Sequence, residues 1–336
     1  MNSTIKDVAR LSNVSIATVS KYINGGNVKE ENRVNIENAI NQLDYRVNTL
    51  ARGLKTNKSM TVGIVVDSIT NTFYTSIISI VENYLHTKGY SSIICETMES
   101  EDMQLIKLDF LLSKGVDGIL IFTTNISAHL LNRYVKKGAN IVVVDSIVNG
   151  VDCDFVTTDN ISGAYQAVEQ FILKGHKNIA MITGSDRYFS AVERLKGYRR
   201  ALEDYNLPVY ENFIYKDSYD LEGGYNSFKK LLLNRENMPS AVLIANYFMT
   251  IGSVIAINEE NINIPDDISI ICFDDLELSK VFKPKLTSVS QPIGEIGKTA
   301  AALLLDRIDG SKIDSKIIRI PAKIIVTSSI KKTGFY

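Results

Sequence analysis

The stretch "TIKDVARLSNVSIATVSKYING", residues 4–25, has the spacing of two short helices separated by a tight turn. Thr4 and Asp7 resemble a capping box at the start of the first helix. Ser15 can cap the second helix. The apolar side of that second helix consists of residues at helical spacing: Val19, Tyr22 and Ile23.

A third helix is expected from about Lys29 to Leu43, after the turn residues "NGG" at 24–26. Three short helices with a tight turn between the first two predict a helix-turn-helix unit. If the apolar side of the second helix faces inward, Ala17, Ser20 and Lys21 face outward. Small side chains there let a helix enter a DNA major groove. The alternative is an ordinary exposed face of a helical hairpin.

The composition agrees with a nucleic-acid-binding head on a separate body. The chain has 336 residues and a net charge of −1, which favours two or more domains. Residues 1–58 hold nine Lys and Arg against five Asp and Glu, so the rest of the chain is acidic. The three cysteines are scattered, which favours buried thiols over a disulfide framework.

From Met60 the pattern changes to alternating strands and helices. "TVGIVV" (61–66) begins the first series, and "KNIAMIT" (177–183) begins a second one after Asp159. Such alternation predicts an α/β fold with parallel sheets. Two consecutive series predict two lobes with a cleft between them, and ligands in such folds lie beyond the carboxyl ends of the strands.

Residues 4–59, including "AINQLDYRVNTLARGLKT" at 39–56, resemble the DNA-binding domain of the lactose-repressor (LacI/GalR) family of bacterial transcription factors. The body resembles the family's effector domain, which shares its fold with periplasmic binding proteins. The motifs that carry this second resemblance are "NTFY" (71–74), "VDGI" (116–119), "VTTDN" (156–160), "LKGHKNIAMITG" (173–184), "ERLKGYRRAL" (193–202), "EGGY" (222–225), "IPDDISIICFDD" (264–275) and "LTSVSQP" (286–292).

The resemblance implies which residues contact DNA. The second helix reads the operator, and a hinge segment over Asn48–Leu54 forms a short helix in the minor groove, where Leu54 is wedged between bases. The alternative for Leu54 is an apolar anchor of the linker. Lys21 stands where many members have arginine, so guanine preference is expected to differ. The candidate DNA-binding residues are Thr4, Ser15, Ile16, Ala17, Thr18, Ser20, Lys21, Asn24, Asn48, Ala51, Arg52 and Leu54.

Strand ends and the resemblance together predict the residues of the cleft. Aromatic rings with Asp, Asn and Arg suit a polyhydroxylated ligand. Each assignment has an alternative. Asp145 and Asp274 could cap helices, Arg194 could only pair with an acid, and Phe73 and Tyr74 could belong to the core. The candidate effector-binding residues are Phe73, Tyr74, Thr124, Asn125, Asp145, Ser190, Arg194, Tyr219, Asn246, Asp274 and Gln291.

The expected fold class is α/β, with a helix-turn-helix domain joined by a hinge helix to a two-lobed, periplasmic-binding-protein-like domain of two doubly wound parallel sheets. The expected domains are a DNA-binding domain at 1–47, a hinge and linker at 48–59, and an effector and dimerisation domain at 60–336. Within the last domain, the N-lobe spans about 60–160 and 292–320, and the C-lobe about 161–291 and 321–330.

The expected function is a homodimeric repressor that binds a pseudo-palindromic, double-stranded operator of a carbohydrate-utilisation operon. Its effector is a sugar, sugar acid or sugar phosphate. One alternative is a family member controlled by a phosphoprotein co-regulator, and another is a sugar-binding protein without a DNA role. No enzyme motif, cofactor motif or metal-ligand spacing is present. No signal peptide or membrane span is apparent, so the expected location is the cytoplasm.

Overall fold

The protein was analysed as a computed structural model, which describes residues 3–23, 25–45, 58–123, 125–233, 238–275, 282–311 and 313–333. The chain forms two compact units, Met1–Met60 and Thr61–Tyr336. Each unit has its own hydrophobic core, and each is described by itself below.

The N-terminal unit is built from three helices, α1 (Ile5–Leu11), α2 (Ile16–Ile23) and α3 (Glu30–Gln42). Their contacts enclose a small core of buried side chains: Val8, Ala9, Val19, Ile36 and Ala39. The turn between α1 and α2 places Asn13 in the left-handed region, at φ 55°. Gly25 ends α2 with φ 73°, a conformation that glycine adopts without steric cost.

The first lobe of the C-terminal unit contains a six-stranded sheet. Its strands are β1 (Thr61–Val66), β2 (Ser91–Glu96), β3 (Gly118–Phe122), β4 (Ile141–Val144), β5 (Asp154–Thr158) and β11 (Ile317–Ile320). The spatial order is β11-β5-β4-β3-β1-β2, and every pairing is parallel. The helices are α4 (Thr72–Thr87), α5 (Glu101–Ser113), α6 (Ala128–Val135) and α11 (Ile293–Ile308).

The second lobe repeats this plan. Its strands are β6 (Ile179–Gly184), β7 (Ile214–Asp217), β8 (Ala241–Ile244), β9 (Ser269–Phe273), β10 (Thr287–Ser290) and β12 (Lys323–Ile325), in the order β12-β10-β9-β8-β6-β7. Its helices are α7 (Asn160–Leu173), α8 (Phe189–Asp204), α9 (Leu221–Leu232) and α10 (Tyr247–Glu259). A 3₁₀ turn, Glu211–Phe213, directly precedes β7.

Three crossovers join the lobes, after β5, after β10 and after β11. The first two are tied by the Thr158 hydroxyl, which donates to Gln291 Oε1 at 2.5 Å. The first and third are tied by the Asp159 N–H, which donates to the Ile320 carbonyl at 2.8 Å. The crossovers therefore bring residues far apart in sequence together at one edge of the cleft.

The α/β class with two parallel sheets is confirmed, with one departure. β12 pairs antiparallel with β10, because the chain returns from β11 at the edge of the second sheet without a crossover helix. In the described part of the chain, no helix is long and apolar enough to cross a membrane.

Candidate functional site

The outward side of α2 is the candidate DNA-reading surface of the N-terminal unit. Ser15, Ile16, Ala17 and Lys21 are exposed, whereas Thr18 and Ser20 are half-buried. Ile16 leaves 45% of its surface exposed, although it is apolar. An exposed apolar side chain beside Ala17 suits contact with the methyl group of thymine.

Local hydrogen bonds fix the position of this helix. The Thr18 N–H donates to Ser15 Oγ at 3.1 Å, so Ser15 caps α2. The Tyr22 hydroxyl donates to Glu37 Oε1 at 2.7 Å and ties α2 to α3. Both contacts orient the outward side without using its exposed residues Ile16 and Lys21.

Thr4, a predicted DNA contact, is exposed at the start of α1. Its backbone N–H and its hydroxyl both donate to Asp7 Oδ2, at 3.0 and 2.7 Å. These two hydrogen bonds lower the pKa of the Asp7 carboxyl below its ordinary value. Thr4 therefore serves as a helix cap in this structure.

Several predicted site residues lie outside the described part of the chain. They are the predicted DNA-binding residues Asn24, Asn48, Ala51, Arg52 and Leu54 and the predicted effector-binding residue Thr124.

The candidate effector site is a cleft between the two lobes of the C-terminal unit. It encloses about 680 Å³ of space free of protein atoms, part of which is open to solvent. The predicted residues that line it are Phe73, Tyr74, Asp145, Ser190, Arg194, Tyr219, Asn246, Asp274 and Gln291.

Asn125, which was also predicted in the cleft and is described by the structure, does not line this cavity. It is exposed, and the next residue, Ile126, is buried in the core of the first lobe. Asn125 therefore lies outside the cleft, beside the segment that leads to α6.

Sequence reasoning missed a second group of lining residues: Asp67, Ser68, Asn71, Thr72, Glu99, Tyr188, Tyr247 and Phe248. Asp67 and Ser68 follow β1 directly, and Glu99 follows β2. The rule that placed Asp145 at the end of β4 also applies to them. Their position after a strand could therefore have identified Asp67, Ser68 and Glu99 from the sequence.

Asp274 is buried and fully engaged by the protein. Gln291 Nε2 donates to Asp274 Oδ1, and the Tyr247 N–H donates to Asp274 Oδ2 at 3.1 Å. Tyr247 is the first residue of α10, so the carboxylate accepts from a helix N-terminus. The alternative in which Asp274 caps a helix therefore describes part of its role.

Arg194 is buried at the base of the cleft and contacts no acid within ion-pair distance among the described residues. Its Nε–H donates to Asn160 Oδ1 at 2.8 Å. Its Nη1 donates to the Tyr219 hydroxyl at 3.2 Å and to the Ala245 carbonyl. The guanidinium lies 3.8 Å from the centre of the Phe273 ring. The alternative in which Arg194 only pairs with an acid is therefore not observed among the described residues.

Asp145 differs from Asp274 because the protein leaves one of its oxygens without a partner. Asp145 is 6% exposed, and its Oδ1 accepts no hydrogen bond from the described residues. Burial raises the pKa of the Asp145 carboxyl from 3.8 to about 7, and Asp274 adds to this rise, whereas nearby Arg194 and a hydrogen bond with the Tyr74 side chain oppose it. This oxygen is itself inaccessible to solvent, so it is a buried polar atom of the first lobe.

The mouth of the cleft carries a polar bridge between the lobes. Arg187 Nη2 lies 3.1 Å from Glu99 Oε2, and the Tyr188 hydroxyl donates to the same oxygen at 3.4 Å. The Tyr188 ring packs against the Tyr219 ring, with centroids 5.0 Å apart. Glu99 is thus connected through two tyrosines to Arg194.

The described residues contain no group of three or more His, Cys, Asp and Glu that could hold a metal ion. His176 is buried at a turn, where Nδ1 lies 2.8 Å from Ser240 Oγ and Nε2 lies 2.9 Å from the Lys331 carbonyl. Burial lowers the pKa of its imidazole. His176 therefore belongs to the packing of the C-terminal segment.

Comparison with known proteins gives concordant matches for both units. Residues 4–48 match the model of bacterial regulatory proteins of the lacI family, and residues 168–330 match the periplasmic binding protein-like domain. Catabolite control protein A of Priestia megaterium is 34% identical over 333 residues, which cover 98% of this chain and 100% of that protein. The HTH-type transcriptional repressor PurR of Histophilus somni (strain 2336) is 32% identical, over 98% and 99% of the two chains.

A solved structure agrees with these sequence matches. The transcriptional regulator CelR–cellobiose complex superposes with a TM-score of 0.75 at 27% identity, over 97% of this chain and 99% of that chain. The fold, the helix-turn-helix surface and the relatives that match almost their full length lead to the same assignment. The chain belongs to the lacI family of DNA-binding transcriptional regulators.

Proposed function

We propose that this regulator represses a carbohydrate-utilisation operon and that a sugar-like effector in the cleft between the lobes controls its operator affinity. The observation that carries the effector part is the lining of the cleft, where the buried polar side chains of Asp145, Arg194 and Asp274 lie among aromatic rings. Aromatic rings and polar side chains around it suit a hydroxyl-bearing ligand. The cellobiose in the CelR complex supports a saccharide as the class of ligand.

The DNA-bound form is proposed to be a homodimer on a pseudo-palindromic operator, because two α2 helices are needed for two half-sites. The proposed domain limits are 1–47 for the DNA-binding domain, 48–59 for the hinge and 60–336 for the effector and dimerisation domain. Leu54 is proposed as the wedge in the minor groove. The protein is placed in the cytoplasm, where its operator DNA is found.

The proposed mechanism is a linkage between two sites. A ligand that binds one arrangement of the lobes more tightly than another shifts the population towards that arrangement. Its differential affinity sets the largest possible change in operator affinity. Three crossovers connect the lobes, and Thr158 and Gln291 bridge two of them, so movement of one lobe against the other is transmitted at this edge.

In the first step of the test, the full-length protein is used to select operators from a library of random DNA duplexes. Fluorescence anisotropy then measures operator affinity across salt concentrations, with and without sugars. The proposal expects salt-dependent, sequence-specific binding that at least one sugar changes tenfold or more. Binding that no sugar changes, but that a phosphorylated protein partner changes, would favour control by a co-regulator.

A variant pair tests the role of α2. Lys21→Ala removes an exposed charge from the outward side of the helix, and Lys6→Ala removes an exposed charge from α1. Lys21→Ala is expected to weaken the selected operator by about 1–3 kcal/mol. Lys6→Ala is expected to weaken selected and random DNA equally. Equal effects of the two variants would remove Lys21 from the reading surface.

A further inference from the structure

An ion pair between Glu193 and Arg319 crosses from one lobe of the C-terminal unit to the other. Arg319 lies in β11, the edge strand of the first sheet, and Glu193 lies in α8 of the second lobe. Arg319 Nη1 donates to Glu193 Oε2 at 2.7 Å. The guanidinium also lies 5.8 Å from the centre of the Phe189 ring, at the start of α8. Arg319 therefore contacts α8 through both its charge and its planar face.

The Glu193 carboxylate divides its two oxygens between the lobes. Oε2 accepts from Arg319, whereas Oε1 accepts from Lys196 Nζ at 2.9 Å, one turn further along the same helix. Glu193 is only 4% exposed, so removal of both cations would leave a buried charge uncompensated. Lys196 keeps the carboxylate paired within the second lobe, and Arg319 adds the connection to the first lobe.

Two consecutive residues of α8 hold two sides of one junction between the crossovers. The residue after Arg319 is Ile320, whose carbonyl accepts from the Asp159 N–H at 2.8 Å. The residue after Glu193 is Arg194, whose Nε–H donates to Oδ1 of Asn160 at 2.8 Å. Asp159 and Asn160 are adjacent in the first crossover. Helix α8 is therefore attached to the first crossover through Arg194 and to the strand that leads into the third crossover through Glu193.

The same helix contacts the cleft. Arg194 lines the cavity, whereas neither Glu193 nor Arg319 does. A ligand that displaces α8 relative to the first lobe must lengthen or break the Glu193–Arg319 contact, because its two groups belong to different lobes. The ion pair therefore favours the arrangement of the lobes in which these groups meet, and a ligand that prefers another arrangement must overcome it.

The bridge at the mouth of the cleft is a weaker candidate for this role. Arg187 and Glu99 also belong to different lobes, but both side chains are 43% exposed, so water replaces either partner easily. The side chain of Glu193 is 6% exposed and that of Arg319 is 36% exposed. Partly buried charges are screened much less by salt and solvent. The pair at the crossovers is therefore expected to have the larger effect on the arrangement of the lobes.

We infer that the Glu193–Arg319 ion pair sets the relative orientation of the two lobes and couples the cleft to operator affinity, with Arg319 as a positioning residue. This inference rests on the proposed linkage between the cleft and the operator. It adds to that proposal a specific contact that lies outside the cavity.

Two matched variants of the full-length protein test the coupling to the operator. Arg319→Gln and Lys196→Gln each remove one cation from the Glu193 carboxylate, but only Arg319 belongs to the other lobe. Fluorescence anisotropy on the selected operator is expected to show a change in affinity of about fivefold or more for Arg319→Gln and of about twofold at most for Lys196→Gln. The effect of Arg319→Gln is expected to disappear in a Glu193→Gln background. Equal effects of the two variants, or effects of Arg319→Gln and Glu193→Gln that add, would overturn the inference.

A second measurement needs neither DNA nor a ligand. Spin labels on cysteines introduced at Thr87 in the first lobe and at Asp266 in the second report the distance between the lobes, because both positions are exposed and the three native cysteines are buried. The labelled protein is diluted into an excess of unlabelled protein, so that only distances within one chain are measured. Arg319→Gln is expected to shift or broaden the distance distribution, and Lys196→Gln to leave it as in the wild type.

The distance measurement also separates two kinds of failure. A distribution in Arg319→Gln identical to that of the wild type would overturn the inference and leave the proposed effector control standing. If the distribution changes in Arg319→Gln while operator affinity does not, the coupling to the operator is refuted, although the ion pair still orients the lobes. Wild-type operator affinity that no sugar changes would count against the proposed function instead.

Discussion

Each lobe of the C-terminal unit has an aspartate at the same position of its sheet, but the two carboxyl groups differ in their hydrogen-bond partners. Asp145 follows β4 and Asp274 follows β9, and each of these strands is third in its sheet. Both residues have a positive φ, 64° and 75°, and the N–H of each donates to the neighbouring strand, at Val156 and Val289. The backbone is thus the same at both sites.

The side chains differ in what they bind. Gln291 and the Tyr247 N–H satisfy both oxygens of Asp274, whereas Oδ1 of Asp145 is left without a partner. A buried polar group without a partner costs stability. Such a cost is typical of binding sites, where the missing partner is supplied by a ligand. The comparison teaches that the protein satisfies both oxygens of Asp274 but buries the Asp145 carboxyl with one oxygen unsatisfied.

The largest effect is expected for Asp145→Asn in the ligand-free protein. A rise of the Asp145 pKa from 3.8 to about 7 corresponds to about 4 kcal/mol of lost stability when the carboxyl is ionised. Removing the charge recovers this amount at pH 8, less about 1–3 kcal/mol for burying an amide. Urea unfolding at pH 8 measures the gain, with Asp266→Asn as the neutral control. A loss of stability would contradict the comparison.

An effect of the opposite sign is expected for Asp274→Asn. The amide nitrogen that replaces one oxygen must face either the Gln291 amide or the Tyr247 N–H, and both of these are donors. The free energy of unfolding is expected to fall by about 1–3 kcal/mol. The same urea experiment measures it. Equal stabilisation by both substitutions would mean that the two aspartates have the same role.

The smallest effect is expected at the mouth. Glu99→Gln keeps the shape of the side chain but removes its charge from the bridge to Arg187, where both side chains are 43% exposed. Exposed ion pairs contribute about 1 kcal/mol or less. A double-mutant cycle with Arg187→Gln measures the coupling by urea unfolding. The control cycle uses Lys216 and Asp186, which pair within the second lobe. A coupling energy well above that of the control pair would contradict this expectation and would mean that the bridge helps to hold the lobes together.

Most of the fold was predictable because its signals are local. Helical spacing identified α1, α2 and α3, and buried runs such as "TVGIVV" identified the strands. β12 was not predicted as antiparallel, because its pairing with β10 depends on where the third crossover returns the chain. The direction of a strand in a sheet depends on tertiary structure, and the hydrophobic periodicity of a short segment does not determine it.

The site was predictable where strand ends determine it. Asp145 and Asp274 were predicted in the cleft because each ends a buried strand and because the family resemblance implies a ligand there. That Asp274 is satisfied and Asp145 is not depends on Gln291, which reaches Asp274 across a crossover. Asn125 shows the limit of the rule, since it also follows a strand but lies exposed outside the cavity. Position along the chain does not determine which side chains meet.

The most direct test of the account is the pH dependence of the stability difference between Asp145→Asn and the wild-type protein. The cost of the buried amide does not change with pH, so the pH dependence isolates the Asp145 carboxyl. Because folding raises its pKa, the wild type loses stability as the pH rises from 3.8 towards 7. The variant's advantage is therefore expected to be about 2 kcal/mol larger at pH 8 than at pH 5.5. A difference that stays constant across this range would contradict the claim that folding buries the Asp145 carboxyl at a cost that its ionisation makes larger.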